Sequence, residues 1–72
     1  MLDIEDLVNY AHDDCVFDIY NCDIGVVVRK NLTRHEAKRY HETHRYDLIS
    51  FEPIQRDNVF GLQFNVHKVE EY

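Results

Sequence analysis

The fold is decided by one stretch near the end of the chain, Phe60-Gly61-Leu62-Gln63-Phe64-Asn65-Val66-His67. Apolar and polar side chains alternate there, which is the period of a β-strand with one buried face. We expect a strand over residues 60–66, with the core side formed by Phe60, Leu62, Phe64 and Val66. The polar side would be formed by Gly61, Gln63, Asn65 and His67. Residues 68–72 are predicted to be a polar tail.

Three further strands are predicted upstream. Residues 47–52 are expected to form a strand that Pro53 ends, and the polar turn at residues 55–58 would join it to the last strand. Residues 15–20 and 24–29 form an earlier hairpin, with Cys15, Phe17 and Ile19 facing the core. In its second strand, Gly25 is typical of a bulge or a close approach of backbones.

A helix is predicted before each hairpin. The first covers residues 4–11, with Asp3 as N-cap, Leu2 and Leu7 as a hydrophobic staple, and an apolar face at Ile4, Leu7, Val8 and Ala11. The second begins after Thr33, which forms a capping box with Glu36, and ends near residue 44 or 45.

The order helix, hairpin, helix, hairpin predicts an α+β fold in a single domain of residues 1–72. We expect a four-stranded, mostly antiparallel sheet with both helices packed on one face. A chain of this length buries only roughly 60% of its unfolded surface, so its core is small. The other face of the sheet would carry Val16, Asp18, Tyr20, Gln63, Asn65 and His67.

Charge is unevenly distributed along the chain. Its 14 acidic and 8 basic residues give a net charge of −6, which divides into −7 for residues 1–28, +4 for residues 29–45 and −3 for residues 46–72. The hydrophobic content of 44% argues against a disordered acidic tail. No apolar run approaches the roughly 18–20 residues of a membrane span, and the acidic N-terminus is unlike a signal peptide. We therefore expect a cytoplasmic protein with reduced cysteines.

The acidic first third is the leading candidate for a protein-binding surface. Its carboxylates could meet a basic partner, and could do so by imitating the phosphates of a nucleic acid. Tyr20 and Tyr46 are expected to be exposed and to join this contact, because tyrosine is enriched at interfaces. The expected contact residues are Asp3, Glu5, Asp6, Asp13, Asp14, Asp18, Tyr20, Asp23 and Tyr46. The alternative is an ordinary solvated acidic surface.

The basic second helix offers a different function, namely binding to nucleic acid. On a helix, Arg34, Lys38, His41 and Arg45 share one stripe, which could contact phosphates. The residues of this alternative site are Arg29, Lys30, Arg34, Lys38 and Arg45. The other interpretation is that the stripe pairs with acidic parts of the same domain.

Catalytic and metal-binding patterns are weak. His41 and His44 are three residues apart, one short of the zincin spacing. Cys15 and Cys22 have six residues between them, so they do not match a zinc or redox motif. We expect no cofactor, no metal site and no enzymatic activity.

Two short motifs resemble those of small bacteriophage proteins of a helix–hairpin–helix–hairpin type. They are Asp23-x-Gly25-x-Val27 in the hairpin and Asn31-Leu32-Thr33-x-x-Glu36-Ala37 at the helix start. The resemblance implies a protein that binds a bacterial host protein, such as a defence nuclease, a replication factor or RNA polymerase, and inhibits or redirects it. Its location would then be the host cytoplasm. The open sheet also leaves homodimerisation as an option.

Overall fold

The computed structural model describes residues 4–72 and has the predicted order of elements. The α+β class is confirmed. The elements are α1 (Ile4–Tyr10), β1 (Val16–Asn21), β2 (Val26–Leu32), α2 (Arg34–Thr43), β3 (His44–Arg56) and β4 (Val59–Glu71). The predicted cap at Asp3 and the staple at Leu2 lie outside the described residues.

The four strands form one mixed sheet in the order β2-β1-β4-β3. Both hairpins, β1–β2 and β3–β4, are antiparallel as expected, whereas the central pair β1–β4 is parallel. A parallel pair needs a crossover connection, which the segment containing α2 supplies. The central register aligns Phe17 with Leu62 and Ile19 with Phe64, so the apolar sides of both hairpins share one face. We call this side the core face and the side carrying Asp18 and Gln63 the polar face.

The last two strands are longer than predicted. β3 does not end at Pro53 but runs from His44 through Arg56. Proline is tolerated there because β3 is an edge strand, where a missing N–H need not break a ladder. The predicted polar tail is also wrong, since Glu70 and Glu71 pair with Arg45 and His44.

The core is small and lies between the helices and the core face of the sheet. Its largest fully buried side chains include Phe17 and Phe64, whose rings stack with their centroids 5.7 Å apart. Phe60 was expected in this core but is 54% exposed. The reason is its position, because β1 begins to pair with β4 only at Gly61. The buried apolar residues are Ile4, Val8, Cys15, Phe17, Ile19, Ala37, Tyr40, Phe64 and Val66.

The helices lie antiparallel to each other, and α2 begins with the predicted capping box. The Thr33 hydroxyl accepts a bond from the Glu36 N–H at 3.2 Å, and the Glu36 carboxylate accepts one from the Thr33 N–H at 3.0 Å. The expectation that both helices pack on one face of the sheet is not confirmed. α2 contacts β1, β2 and β3, whereas α1 packs chiefly against α2.

Candidate functional site

The acidic residues predicted to bind a partner are partly engaged inside the molecule. Glu5 lies 3.5 Å from the His41 imidazole, and Asp13 lies 3.1 Å from the Arg34 guanidinium. Asp23 accepts a bond from the backbone N–H of Lys68 at 2.7 Å. Glu5 of α1 and Asp13 beyond its end therefore both contact basic or histidine side chains of α2, which agrees with internal pairing. Asp3 lies outside the described residues.

Asp18 was expected to contact a partner, and the structure contradicts this because Asp18 is fully buried. It lies on the polar face, where Arg56 reaches across β4 and forms two bonds to its carboxylate. The backbone N–H of Asn31 donates a third bond at 3.0 Å, and the Asn31 side chain accepts a bond from Arg56 at 2.7 Å. This network ties β1, β2 and β3 together.

The pKa of the Asp18 carboxyl reflects opposing effects. Burial raises the pKa, while the hydrogen bonds from Arg56 and Asn31 and the charges of Arg56 and Lys30 lower it. The net pKa lies below its ordinary value of 3.8, so the buried group is an anion at neutral pH. The same contact raises the pKa of Arg56. Asp18 and Arg56 form a structural ion pair.

Tyr20 and Tyr46 were expected to be exposed, but both are half-buried. The Tyr46 hydroxyl lies 2.6 Å from the His41 imidazole and accepts a bond from the Ile4 N–H at 3.3 Å. Tyr46 therefore joins α1, α2 and β3, and this role explains its burial. The tyrosines that are exposed are Tyr10 and Tyr72, at 89% and 75%.

The five basic residues of the nucleic-acid alternative do not form one stripe. Arg34 is occupied by Asp13 and by the carbonyl of Ala11. Arg45 lies on β3, where its guanidinium is 5.9 Å from the Tyr72 ring centroid. Lys30 lies on β2 near Asp18, Lys38 is half-buried on α2, and Arg29 faces Tyr40 from β2.

A surface that the sequence analysis missed lies on the core face near the tip of the β3–β4 hairpin. We call it the apolar strip, and it consists of Phe51, Pro53, Phe60 and Leu62. The register places all four on the core face, with Pro53 opposite Leu62. Phe51 is 45% exposed and Phe60 is 54% exposed, because the short helix α1 leaves this end of the sheet uncovered. Contiguous apolar surface of this kind marks contact sites.

Acidic residues border the apolar strip. Phe60 lines an open groove of about 570 Å³ together with His12, Asp14, Cys15, Asn58 and Val59. Asp57 lies in the hairpin turn at the same end. Asp13 and Asp14, two of the predicted contact residues, precede β1 here and are 88% and 96% exposed. In the sequence, this surface was indicated only by the apolar residues Phe51 and Pro53, because the first helix is too short to cover them.

A second groove, which the sequence analysis also missed, lies between β2 and α2. It is lined by Arg29, Leu32, His35, Glu36, Arg39, Tyr40, Thr43 and His44. The spacing of His35 and Arg39 on α2 is four residues, so both side chains lie on one side of the helix, toward β2. This spacing was visible in the sequence, but the position of β2 beside it was not.

Within residues 4–72, no three histidine, cysteine or acidic side chains lie close enough to hold a metal ion. His41 and His44 instead contact Glu5 and Glu71, each at 3.5 Å. Cys15 is buried and Cys22 is exposed, and both are free thiols. None of the helices in this part of the chain is long and apolar enough to cross a membrane.

Comparisons with known proteins returned no match, whether against protein-family models, curated sequences or solved structures.

Proposed function

We propose that the protein is a non-enzymatic binding module that docks onto another protein through the apolar strip and its acidic border. The observation that carries this proposal is the exposure of Phe51 and Phe60, with Asp14 lining the same groove as Phe60 and Asp57 exposed in the hairpin turn. Interfaces combine an apolar centre with a polar rim, and aromatic anchors supply most of their binding energy.

The charge of the border indicates the chemistry of the partner. Asp14 and Asp57 are exposed at this end of the molecule, and Asp13 is exposed but paired with Arg34. Arg56, the nearest cation on β3, is already paired with Asp18. A partner with an apolar pocket surrounded by lysine or arginine would complement this surface and associate faster at low salt. Basic surfaces of this kind are common on proteins that bind nucleic acids.

The resemblance to small bacteriophage proteins is the reason to expect a bacterial host protein as the partner, in the host cytoplasm. Binding would inhibit or redirect that protein by covering its basic surface. Homodimerisation would use part of the same open sheet. The nucleic-acid alternative is less well supported, because its basic residues are dispersed over β2, α2 and β3.

The test compares capture by the full chain and by surface variants from a bacterial lysate, followed by titration with the purified partner. Phe60→Asp places a charge in the strip, and the double variant D14K/D57K reverses its border. We expect each to weaken binding by about 2 kcal/mol, or roughly 30-fold in Kd. Circular dichroism verifies that the variants are folded.

Matched controls make the same changes elsewhere. Ile24→Asp alters another exposed apolar residue, and Glu70→Lys reverses an acid toward the opposite end of β4. Both should bind like the wild type. The proposal is wrong if no stoichiometric partner is captured, or if the strip variants bind it as tightly as the controls.

A further inference from the structure

The groove between β2 and α2 lies on a different surface from the apolar strip and is lined by side chains of both elements. Its volume is about 480 Å³, within the range of roughly 300–1,000 Å³ typical of small-molecule sites. His35, Arg39 and Thr43 follow one another at four-residue spacing along α2, and Arg29 faces them from β2. Side chains from two elements therefore converge on one space.

Arg29 and Arg39, whose guanidinium groups line this groove, are not paired with acids among residues 4–72. Within residues 4–72, neither Arg29 nor Arg39 forms a salt bridge, although the chain carries 14 acidic residues. By contrast, Arg34 and Arg56 are both paired. Arg29 donates one bond, to its neighbouring carbonyl of Val28 at 2.8 Å, and a guanidinium has five N–H donors. Both arginines retain donors for an external anion.

The floor of the groove is largely aromatic and hydrogen-bonded. The rings of Tyr40 and His44 stack with centroids 4.0 Å apart, and His44 is fixed by bonds to Thr43 and the Tyr40 carbonyl. The Arg29 guanidinium lies 5.9 Å from the Tyr40 ring centroid, within the range of a cation–π contact. These contacts place the Arg29 guanidinium beside the aromatic floor of the groove.

We propose that this groove binds a small phosphate ester of about mononucleotide size. Arg29 and Arg39 would hold the phosphate, because the planar guanidinium matches phosphate oxygens and forms two bonds at once. The groove is larger than a phosphate alone requires, and Leu32 supplies an apolar wall for the organic part of the ligand. The inference is independent of the docking surface proposed above.

Among residues 4–72, Glu36 is the one carboxylate that lines the groove, and it opposes an anion. Its hydrogen bond from the Thr33 N–H lowers the pKa of Glu36, so the group is charged at neutral pH. Glutamine also completes a capping box. Glu36→Gln therefore removes the repulsion while keeping the helix start, and it should tighten binding of a phosphate ester several-fold.

The experiment is an NMR titration of the full ¹⁵N-labelled chain with adenosine 5′-monophosphate, adenosine and inorganic phosphate. We expect the monophosphate to shift the backbone amides of Leu32, His35 and Arg39, with inorganic phosphate acting more weakly at the same amides. Arg29→Ala and Arg39→Ala should each raise Kd roughly tenfold. Arg45→Ala, which removes an arginine outside the groove, should leave Kd unchanged.

Three outcomes would overturn the inference. Adenosine could shift the same amides as strongly as its monophosphate, which would show that the phosphate is not recognised. Glu36→Gln could leave the affinity unchanged or weaken it. Finally, a short oligothymidylate could bind more tightly than the monophosphate and also shift Lys30 and Lys38, which would identify a nucleic-acid surface instead.

Discussion

Among single residues, Asp18 gives the sharpest prediction, and it concerns pH. The pKa of Asp18 is lowered in the folded protein, so its contribution to stability is present above the unfolded value of 3.8 and is lost as pH falls through the folded pKa. Asp18→Asn should reduce the free energy of unfolding by about 2 kcal/mol at neutral pH. The difference from wild type should shrink below about pH 4, as measured by urea unfolding at several pH values.

A second variant tests whether the burial of the Asp18 carboxylate makes its ion pair important for stability. Arg56→Gln leaves Asp18 fully buried without its cation, and an unpaired buried carboxylate costs on the order of 3 kcal/mol. Arg56→Gln should therefore destabilise the protein more than Asp18→Asn at neutral pH. The interpretation is wrong if the two variants rank the other way, or if Asp18→Asn differs from wild type by a constant amount at every pH.

Asp18 also shows where prediction from sequence stops at this scale. Alternation along β1 correctly placed Cys15, Phe17 and Ile19 in the core and Asp18 on the opposite face. It could not show that Arg56, distant in sequence, crosses β4 to cover that carboxylate. Local periodicity fixes the face on which a side chain lies, whereas its exposure depends on contacts between distant elements.

Among the elements, α2 offers a test of its start signal. Thr33→Ala removes the hydroxyl that accepts the Glu36 N–H bond, and loss of such a cap costs about 1 kcal/mol. We expect this decrease in the free energy of unfolding in urea, and Thr33→Ser should restore most of it because serine caps equally well.

The matched control lies at the other end of the same helix. The Thr43 hydroxyl donates to the Arg39 carbonyl at 2.9 Å and also lies 2.9 Å from the His44 imidazole, and neither contact caps a free backbone N–H group. Thr43→Ala should therefore change stability by less than Thr33→Ala. Equal losses for the two variants would contradict a capping role and indicate only a difference in helix propensity.

The elements differ in how well their ends could be predicted from the sequence. The start of α2 followed from Thr33 and Glu36, because a capping box acts within four residues, whereas the helix ends at Thr43, before the predicted residue 44 or 45. The end of β3 did not follow from Pro53, since proline stops a central strand but is tolerated at an edge. Both missed surfaces, the apolar strip and the groove beside α2, likewise depend on which elements become neighbours.

For the whole molecule, the parallel pairing of β1 with β4 is the link that joins the two hairpins into one sheet. Gly61 lies at the start of this link, opposite Val16 on β1 and Ile54 on β3. A Cβ atom at this position would lie 2.4 Å from the Val16 carbonyl oxygen, too close for any real contact. The absence of a side chain at Gly61 therefore permits the two halves of the fold to approach.

Gly61→Ala should consequently destabilise the whole sheet, by about 1–3 kcal/mol or more, as expected for overpacking. The added Cβ would also lie 2.9 Å from Cγ2 of Val16, so a clash between the two side chains could by itself explain the loss of stability. The double variant V16A/G61A separates the two causes. Truncating Val16 removes the nearest side-chain contact but leaves the backbone oxygen at 2.4 Å and Ile54 Cγ1 at 3.2 Å, so the double variant should remain at least as unstable as Gly61→Ala. Recovery of the urea midpoint in the double variant would show instead that β1 and β4 can separate slightly, and that the close approach of their backbones is not what holds the two hairpins together.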